Sequence, residues 1–350
     1  MPPEALSAAI RRLAQGGSLS AEEAGGAFDA VMSGEGTPAQ VAALLMALRV
    51  KGETAEEVAG AARALRRAMV PLPAADPDLL VDTCGTGGGT LTTFNISTAA
   101  ALVAAGAGVR VAKHGNRSFT SRCGSADVLE ALGVAIDAPV EVSASVLERA
   151  GIVFMFAPLM HPAMRHVGPI RRELAIPTVM NVVGPLANPA SAGRQVVGVA
   201  DRARMPLIAG ALAELGSIFA LVVHGQPGLD EISPLGTTAV LEVRGGEVRE
   251  WAIDPARYGV GPVREEELAG GDREDNARIV AEVLSGGGAP GARAAVVLNA
   301  AAAILVSGRA SDFGEGMEQA TAALDSGAGA AALDRMRRVY QDVGAREGSP

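Results

Sequence analysis

The residues Asp82-Thr83-Cys84-Gly85-Thr86-Gly87-Gly88-Gly89-Thr90 run from an apolar stretch into a glycine-rich loop that leads toward a helix. Without Cβ atoms, backbone of this kind can approach a ligand closely and turn several N–H groups toward it. The helix start that follows adds partial positive charge. Holding phosphate is the chemistry this arrangement suits. It is not a Walker A loop, because the Gly-Lys-Ser/Thr ending is missing, and it is not a clean dinucleotide fingerprint. A tight turn explains the same glycines. Next come Thr93-Phe94-Asn95-Ile96-Ser97-Thr98, which gather hydroxyls and an amide at a helix start. N-capping by Asn95 or Ser97 is one reading; further phosphate contacts and a magnesium ligand are the other, and the two are compatible.

A third segment, from Lys113-His114-Gly115-Asn116-Arg117-Ser118 through Ser121, Arg122, Cys123, Gly124 and Ser125 to Asp127, holds three cationic side chains among small hydrogen-bonding residues. A loop this polar directly after a buried strand seldom serves packing alone. The chain has 30 basic residues, yet lysine occurs only at Lys51 and Lys113. Arginine does the routine surface work, so a lysine in this background marks a position that wants a compact ammonium. Lys51, at a predicted helix end, reads as incidental. All four histidines (His114, His161, His166 and His224) lie in or beside the chemistry-bearing segments. Taken alone, Asp230-Glu231 reads as an exposed acidic turn, and Arg171 as one of several surface arginines beside Arg165 and Arg172.

The elements that must position these residues fall into two groups. The first seventy residues read as four short helices. Ser20-Ala21-Glu22-Glu23 and Thr54-Ala55-Glu56-Glu57 have the form of capping boxes, and Thr37-Pro38 offers an N-cap followed by proline at the first helical position. Residues 71–77 are Pro-rich and read as a linker. Beyond them, strands are expected at 79–81, 109–112, 152–156, 195–199 and 220–223, with helices from about 97, at 126–132 and at 204–215. Alternation of this kind implies a mostly parallel sheet covered on both faces. Residues 239–243 and 247–251, joined by Gly245-Gly246, read as a hairpin. The expected fold class is α/β, a small all-helical domain beside a larger α/β domain. The expected division is residues 1–72 for the small domain, joined by a helical excursion over about 161–190, and residues 78–160 with 191–346 for the large one.

Composition sets outer limits. With 350 residues, 49 % hydrophobic and 20 % charged, the chain suits a globular protein and excludes a disordered one. Two cysteines make no disulfide framework. Residues 1–17 carry no long apolar run, and the Ala/Val runs are too short for a membrane span, so no membrane association and a cytoplasmic location are expected. The net charge of −9 leaves no global basic footprint for nucleic acid. An anionic substrate would have to be met by local devices: a cation, a few basic groups and backbone N–H donors.

Together, the three segments resemble the signature of the anthranilate phosphoribosyltransferase family. The likeness continues through His161-Pro162-Ala163-Met164-Arg165-His166, Asn181-Val182-Val183-Gly184-Pro185-Leu186-Ala187-Asn188-Pro189 and Gly228-Leu229-Asp230-Glu231-Ile232-Ser233, in the family's order and spacing. The resemblance implies a nucleoside phosphorylase/phosphoribosyltransferase-like fold, a homodimer, magnesium as cofactor, and phosphoribosyl pyrophosphate (PRPP) and anthranilate as substrates. Carried over position by position, PRPP would meet Gly85, Thr86, Gly87, Gly88, Gly89, Thr93, Asn95, Ile96, Ser97, Thr98, Lys113, His114, Gly115, Asn116, Arg117, Ser121 and Ser125. Anthranilate would meet Gly85, His114, Asn116, His161, Arg171 and Gly184. Ser97, Asp230 and Glu231 would handle the metal, and Lys113, Asp230 and Glu231 would carry the catalysis. A guanidinium at Arg171 suits the benzoate carboxylate, and a hard Mg²⁺ suits carboxylate, hydroxyl and phosphate oxygens.

Two positions depart from the family's pattern. Gly89 stands where the family usually has Asp, which removes an acidic group from beside the pyrophosphate and bears on metal stoichiometry, product release and PRPP affinity. Cys123 replaces a small Ser or Ala and introduces an oxidisable thiol. A pyrimidine nucleoside phosphorylase shares the fold, but its own glycine-rich signatures are missing here. A non-catalytic, nucleic-acid-binding relative should be basic and lack the carboxylates, whereas this chain is acidic and keeps them.

Overall fold

The computed structural model describes residues 3–118 and 122–347. The N-terminal quarter forms four helices: α1 (Glu4–Ala14), α2 (Ala21–Met32), α3 (Pro38–Lys51) and α4 (Ala55–Ala68). Three of them begin on capping boxes. Ser20 pairs with Glu23, Thr37 with Gln40 and Thr54 with Glu57, each hydroxyl accepting a backbone N–H while the partner side chain returns to the cap. α2 and α4 pack closely at Gly60, where any Cβ would strike the Ala21 carbonyl.

Lys51 is not incidental. Glu57 is fully buried in this bundle and accepts from Leu19 N at 2.9 Å and Thr54 N at 2.9 Å. Its counter-charge is Lys51, whose Nζ donates to Glu57 Oε2 at 3.0 Å and to the Gly52 carbonyl at 2.7 Å. A compact ammonium is what that small pocket accepts.

Beyond the linker, seven strands form one sheet: β1 (Val81–Gly85), β2 (Val111–Gly115), β3 (Ile152–Phe156), β4 (Arg194–Gly198), β5 (Phe219–Gly225), β6 (Thr238–Arg244) and β7 (Glu247–Ile253). Their order is β3-β2-β1-β4-β5-β6-β7, parallel as far as β5 and antiparallel for the last two. The β6–β7 hairpin turns on Gly245 and Gly246, at φ +59° and +85°, as successive left-handed positions require.

Two strand expectations need correction. Residues 77–79 form a 3₁₀ turn, because Pro77 begins a helical turn. The first strand therefore starts at Val81 and takes in Asp82 to Gly85. The second starts at Val111 rather than Val109 and carries Lys113, His114 and Gly115 to its end. In both cases residues that read as loop belong to the sheet: Asp82 to Gly85 pair along β4 and Lys113 to Gly115 along β3, neighbours remote in sequence.

Alternation along the strands assigns each face. Val196, Leu221, Val223 and Val240 point into one core with α5 (Ile96–Gly106) and helix Pro290–Ser307. Val197, Val199, Ala220, Val222 and Val243 point into the other with helix Met205–Glu214. The second core is continuous with that of the four-helix bundle and takes in Val167, Ile170, Val179 and Val183. Helix Pro290–Ser307 is long and apolar enough to cross a membrane, but most of it is buried as a core helix.

Candidate active site

The strand order reverses between β1 and β4, and in such sheets ligands bind at that point, beyond the carboxyl ends of the strands. Here Gly85 and Gly198 end their strands in register. Above them sits Asp230: a Cβ on Gly198 would strike its carbonyl, and one on Gly85 would lie 2.8 Å from its Oδ2. Both glycines are required by that close approach.

The loop after β1 turns through Gly87 and Gly88, at φ +67° and +82°. Gly87 N donates to Asp230 Oδ2 at 2.9 Å. Thr86 N and Thr90 N donate to the Gly198 and Gly228 carbonyls. The N–H groups of Gly88 and Gly89 have no partner among the described residues, leaving two donors for an anion. A Cβ on Gly89 would lie 3.3 Å from Asp230 Oδ1, so an acidic residue here would face a like charge.

At the start of α5, Asn95 occupies the cap position but its side chain does not cap. A remote carboxylate does so instead: Ser97 N donates to Glu231 Oε1 at 3.1 Å. The helix end's positive character is met by Glu231, and Ser97 Oγ faces Lys113 Nζ at 3.3 Å. Ile96 is fully buried and its N–H goes to the Phe94 carbonyl, so it offers a ligand nothing polar. Thr98 is buried beneath, its hydroxyl unpartnered among the described residues.

Lys113 reaches the site from below. It is 3 % exposed and donates to the carbonyl and hydroxyl of Thr83 as well as to Ser97. Burial pulls its pKa below the ordinary range, while Asp82, Cys84 and Glu231 counter that. Asp82, fully buried, is raised to about 6 by desolvation, with Lys113 opposing the rise. Its oxygens accept from His114 N at 3.1 Å and Asn188 Nδ2 at 2.7 Å.

Asp230 and Glu231 are both held above the usual carboxylate range by burial, Glu231 to about 8 with the Asp230 charge adding to the rise. Among the described residues no cluster of three His, Cys, Asp or Glu could hold a metal alone. Two under-compensated carboxylates and the Ser97 hydroxyl are hard oxygen donors. They fit a Mg²⁺ ion that keeps water and substrate phosphate in its remaining positions.

Beside this anionic subsite lies a different one. His114 and His161 meet edge to face with ring centroids 4.9 Å apart. Burial lowers their pKa values to about 3 and about 4. Among the described residues His114 Nε2 has no hydrogen-bond partner, and the His161 nitrogens make no well-formed hydrogen bond, although the Ala187 backbone beside that ring partly opposes the lowering of its pKa. Arg171 is half-buried; its guanidinium donates to Asn181 Oδ1 at 3.5 Å, and among the described residues it pairs with no carboxylate. Gly184 has open space on its Cβ side.

The remaining positions divide. Ser125 Oγ and Ala126 N both bond to the Asn116 carbonyl, and a Cβ on Gly115 would strike Ser125. Arg117 turns away from the crevice: its guanidinium bridges Asp127 at 2.8 Å and Glu130 at 2.9 Å. Ser121 lies outside the described residues. Thr93 is bridged to Ala269, and Cys84 lies 3.9 Å from the Pro185 carbonyl.

Sequence reasoning passed over three buried amides around this site. Asn188 joins Asp82 to the Ala112 carbonyl. Asn299 holds both the N–H and the carbonyl of Ile232, next to Glu231. Asn276 reaches Asn95. A signal existed for Asn299, since an amide inside an apolar helix needs buried partners.

The buried neutral histidines predict a pH effect. An unfolded histidine takes up a proton near 6.5, whereas His161 does so only near 4. Stability is therefore full above 6.5 and falls as pH drops toward 4. The loss between pH 7 and pH 5 should be about 2 kcal/mol for this residue. Urea melts of His161→Gln, which has no such proton to gain, should lose about 2 kcal/mol less than the parent over that interval.

A helical bundle on a sheet with a glycine-rich loop at its switch point is the two-part architecture of the glycosyl transferase family, and the family matches place the chain in that class. The helical bundle domain of the glycosyl transferase family matches residues 7–69, and that family's a/b domain matches residues 77–330. Within that class, the chain belongs to the anthranilate phosphoribosyltransferase family. It is 51 % identical to the anthranilate phosphoribosyltransferase of Rubrobacter xylanophilus, over 97 % of this chain and 99 % of that one. It is 50 % identical to that of Roseiflexus castenholzii, over 93 % and 96 %. The crystal structure of the Thermus thermophilus enzyme superposes with a TM-score of 0.90 at 42 % identity, covering 95 % of this chain and 99 % of that one. The Saccharomyces cerevisiae enzyme in complex with PRPP and Mg gives 0.87 at 29 % identity, covering 96 % and 98 %.

Proposed function

We propose that this chain transfers the phosphoribosyl group of PRPP to the amino group of anthranilate. The products are N-(5-phosphoribosyl)anthranilate and pyrophosphate, on the way to tryptophan. The observation that carries this reading is the pairing of two unlike subsites at the end of the sheet. One has N–H donors free among the described residues and two half-buried carboxylates. The other has neutral imidazoles and an arginine without an acidic partner among the described residues.

In this reading Gly88 and Gly89 donate N–H groups to the phosphates, and Asn95, Ser97 and Ser125 add polar contacts. Mg²⁺, held by Asp230, Glu231 and Ser97, supplies electrostatic stabilisation of the pyrophosphate leaving group. Lys113 adds fixed positive charge below the same oxygens. Arg171 takes the benzoate carboxylate, while His114 and His161, uncharged, line the aromatic ring's site without competing for that carboxylate. The aromatic amine is neutral at pH 7 and needs no strong base, so the chain's main contribution is holding the two substrates in line. A homodimer in the cytoplasm, with domains at 1–72 plus 161–190 and at 78–160 plus 191–346, completes the proposal.

The test follows anthranilate fluorescence with PRPP and Mg²⁺, with and without EDTA. Loss of signal that needs both PRPP and metal is expected; no turnover from folded protein across a wide Mg²⁺ range would overturn the reading. Arg171→Leu should raise KM for anthranilate about a hundredfold and leave KM for PRPP nearly unchanged. A rise in both would remove Arg171 from the anthranilate side.

A further inference from the structure

We infer that Asn276 is a positioning residue for PRPP: it sets which way the amide of Asn95 faces. The inference rests on the proposed contact between Asn95 and PRPP.

Asn276 lies in the first turn of helix Arg273–Leu284 and is 1 % exposed. Its Oδ1 accepts from Gly271 N at 2.8 Å. Its Nδ2 donates to Asn95 Oδ1 at 2.9 Å. Asn95 Nδ2 donates in turn to the Cys123 carbonyl at 3.3 Å.

Side-chain amides can be turned over, exchanging donor for acceptor. This relay cannot be. A backbone N–H only donates, so Gly271 fixes Asn276 with its oxygen toward Gly271. A backbone carbonyl only accepts, so Cys123 fixes Asn95 with its nitrogen toward Cys123. The two ends agree on one polarity, and the bond in the middle satisfies both. Asn95 therefore keeps its second N–H available to an anionic oxygen. Turned over, it would present a carbonyl oxygen to a phosphate.

The surrounding backbone keeps the relay in register. Phe94 N donates to the Leu268 carbonyl at 3.0 Å and Gly270 N to the Thr92 carbonyl at 3.1 Å. Thr93 and Ala269 form an antiparallel bridge, and a Cβ on Gly270 would lie 2.7 Å from the Thr93 carbonyl carbon. Residues 268–276 thus lie along residues 92–95 as a strap whose last member is Asn276. The Cys123 thiol also lies within hydrogen-bonding reach of Asn276.

The test uses steady-state kinetics on the full chain with Asn95→Ala, Asn276→Ala, the double variant and Asn276→Asp. Asn95→Ala examines the underlying reading first: an unchanged KM for PRPP removes Asn95 from the PRPP site and the inference with it. With Asn95→Ala impaired, Asn276→Ala should raise KM for PRPP about tenfold and leave KM for anthranilate within about twofold. In the Asn95→Ala background it should add nothing. Asn276→Asp supplies an independent readout. Its carboxylate accepts from Gly271 but cannot donate to Asn95; once protonated, it can do both. Burial raises its pKa, so its KM for PRPP should fall as pH drops from 8 to 6, relative to the parent over the same range. Equal rises in both KM values, additivity with Asn95→Ala, or an Asn276→Asp profile parallel to the parent's would overturn the inference while leaving Asn95's own role standing. If Asn276→Ala fails to fold, the Asn276→Asp profile decides alone.

Discussion

Asp230→Asn combined with Glu231→Gln is expected to lower kcat/KM at least about a thousandfold while leaving the folded state as stable as the parent, or more so. Asp230 sits over the Gly85–Gly198 pair and Glu231 at the start of α5, both half-buried and desolvated enough to raise their pKa values. Each amide retains an oxygen to accept from Gly87 N or Ser97 N, so the local backbone keeps its partners. The charge lost is the part that would hold a divalent cation and so stabilise departing pyrophosphate. Glu231 is raised from 4.5 to about 8. Stability linked to a raised carboxyl is full below its unfolded value and is lost as pH rises through its folded one. In metal-free buffer, urea melts of the variant should therefore gain on the parent between pH 5 and pH 8. Turnover within tenfold of the parent would remove the carboxylates from the chemistry; an unfolded variant would make them structural.

Lys113→Met should lose both turnover and stability. The ammonium is buried among the Thr83 carbonyl, the Thr83 hydroxyl and Ser97 Oγ, opposite Asp82 and Glu231. Removing it leaves those carboxylates without their nearest cation, and breaking a buried ionic arrangement on one side typically costs about 3–5 kcal/mol. It also removes the fixed positive charge beneath the proposed pyrophosphate oxygens, worth at least about a hundredfold in kcat. Lys113→Arg should not restore either property, because a planar fork does not fit three acceptors converging on one point. Denaturant melts and the fluorescence assay on the same preparations check this. A Met variant with the parent's stability would mean that Asp82 and Glu231 have other compensation.

The two expectations differ for a physical reason. Asp230 and Glu231 are half-buried, desolvated carboxylates, an excess of acidic groups that a cation would answer. Lys113 is the fold's own partial answer to it. Removing the excess relieves strain; removing the answer worsens it.

Much was legible in local sequence because its causes are local. The three capping boxes at Ser20, Thr37 and Thr54 close within four residues. The Gly245-Gly246 turn needs only two left-handed positions. Alternating apolar stretches implied a parallel sheet, and the motif spacing pointed to the family that the comparisons bear out.

The misplaced strand starts reveal where local reading ends. Asp82 and Lys113 are too polar to read as strand. Asp82 is held in its strand by β4 and Lys113 in its strand by β3, and each offsets the other's charge. The buried amides escaped notice for a related reason. Asn188 meets Asp82 at a separation of 106 residues, Asn276 meets Asn95 at 181 and Asn299 meets Ile232 at 67. A side-chain amide carries no sign of which distant backbone group it will satisfy.

By itself, then, the sequence determined where three of the bundle's helices begin, the α/β class and the family, since each follows from spacing and from short-range hydrogen bonding. Only the tertiary structure decided that Gly198 must be bare beneath the Asp230 carbonyl, that Lys51 neutralises a buried Glu57, and that Arg117 is engaged by Asp127 and Glu130. These depend on which charges and carbonyls the strand order brings together in a region that excludes water, where each must find a partner or shift its pKa.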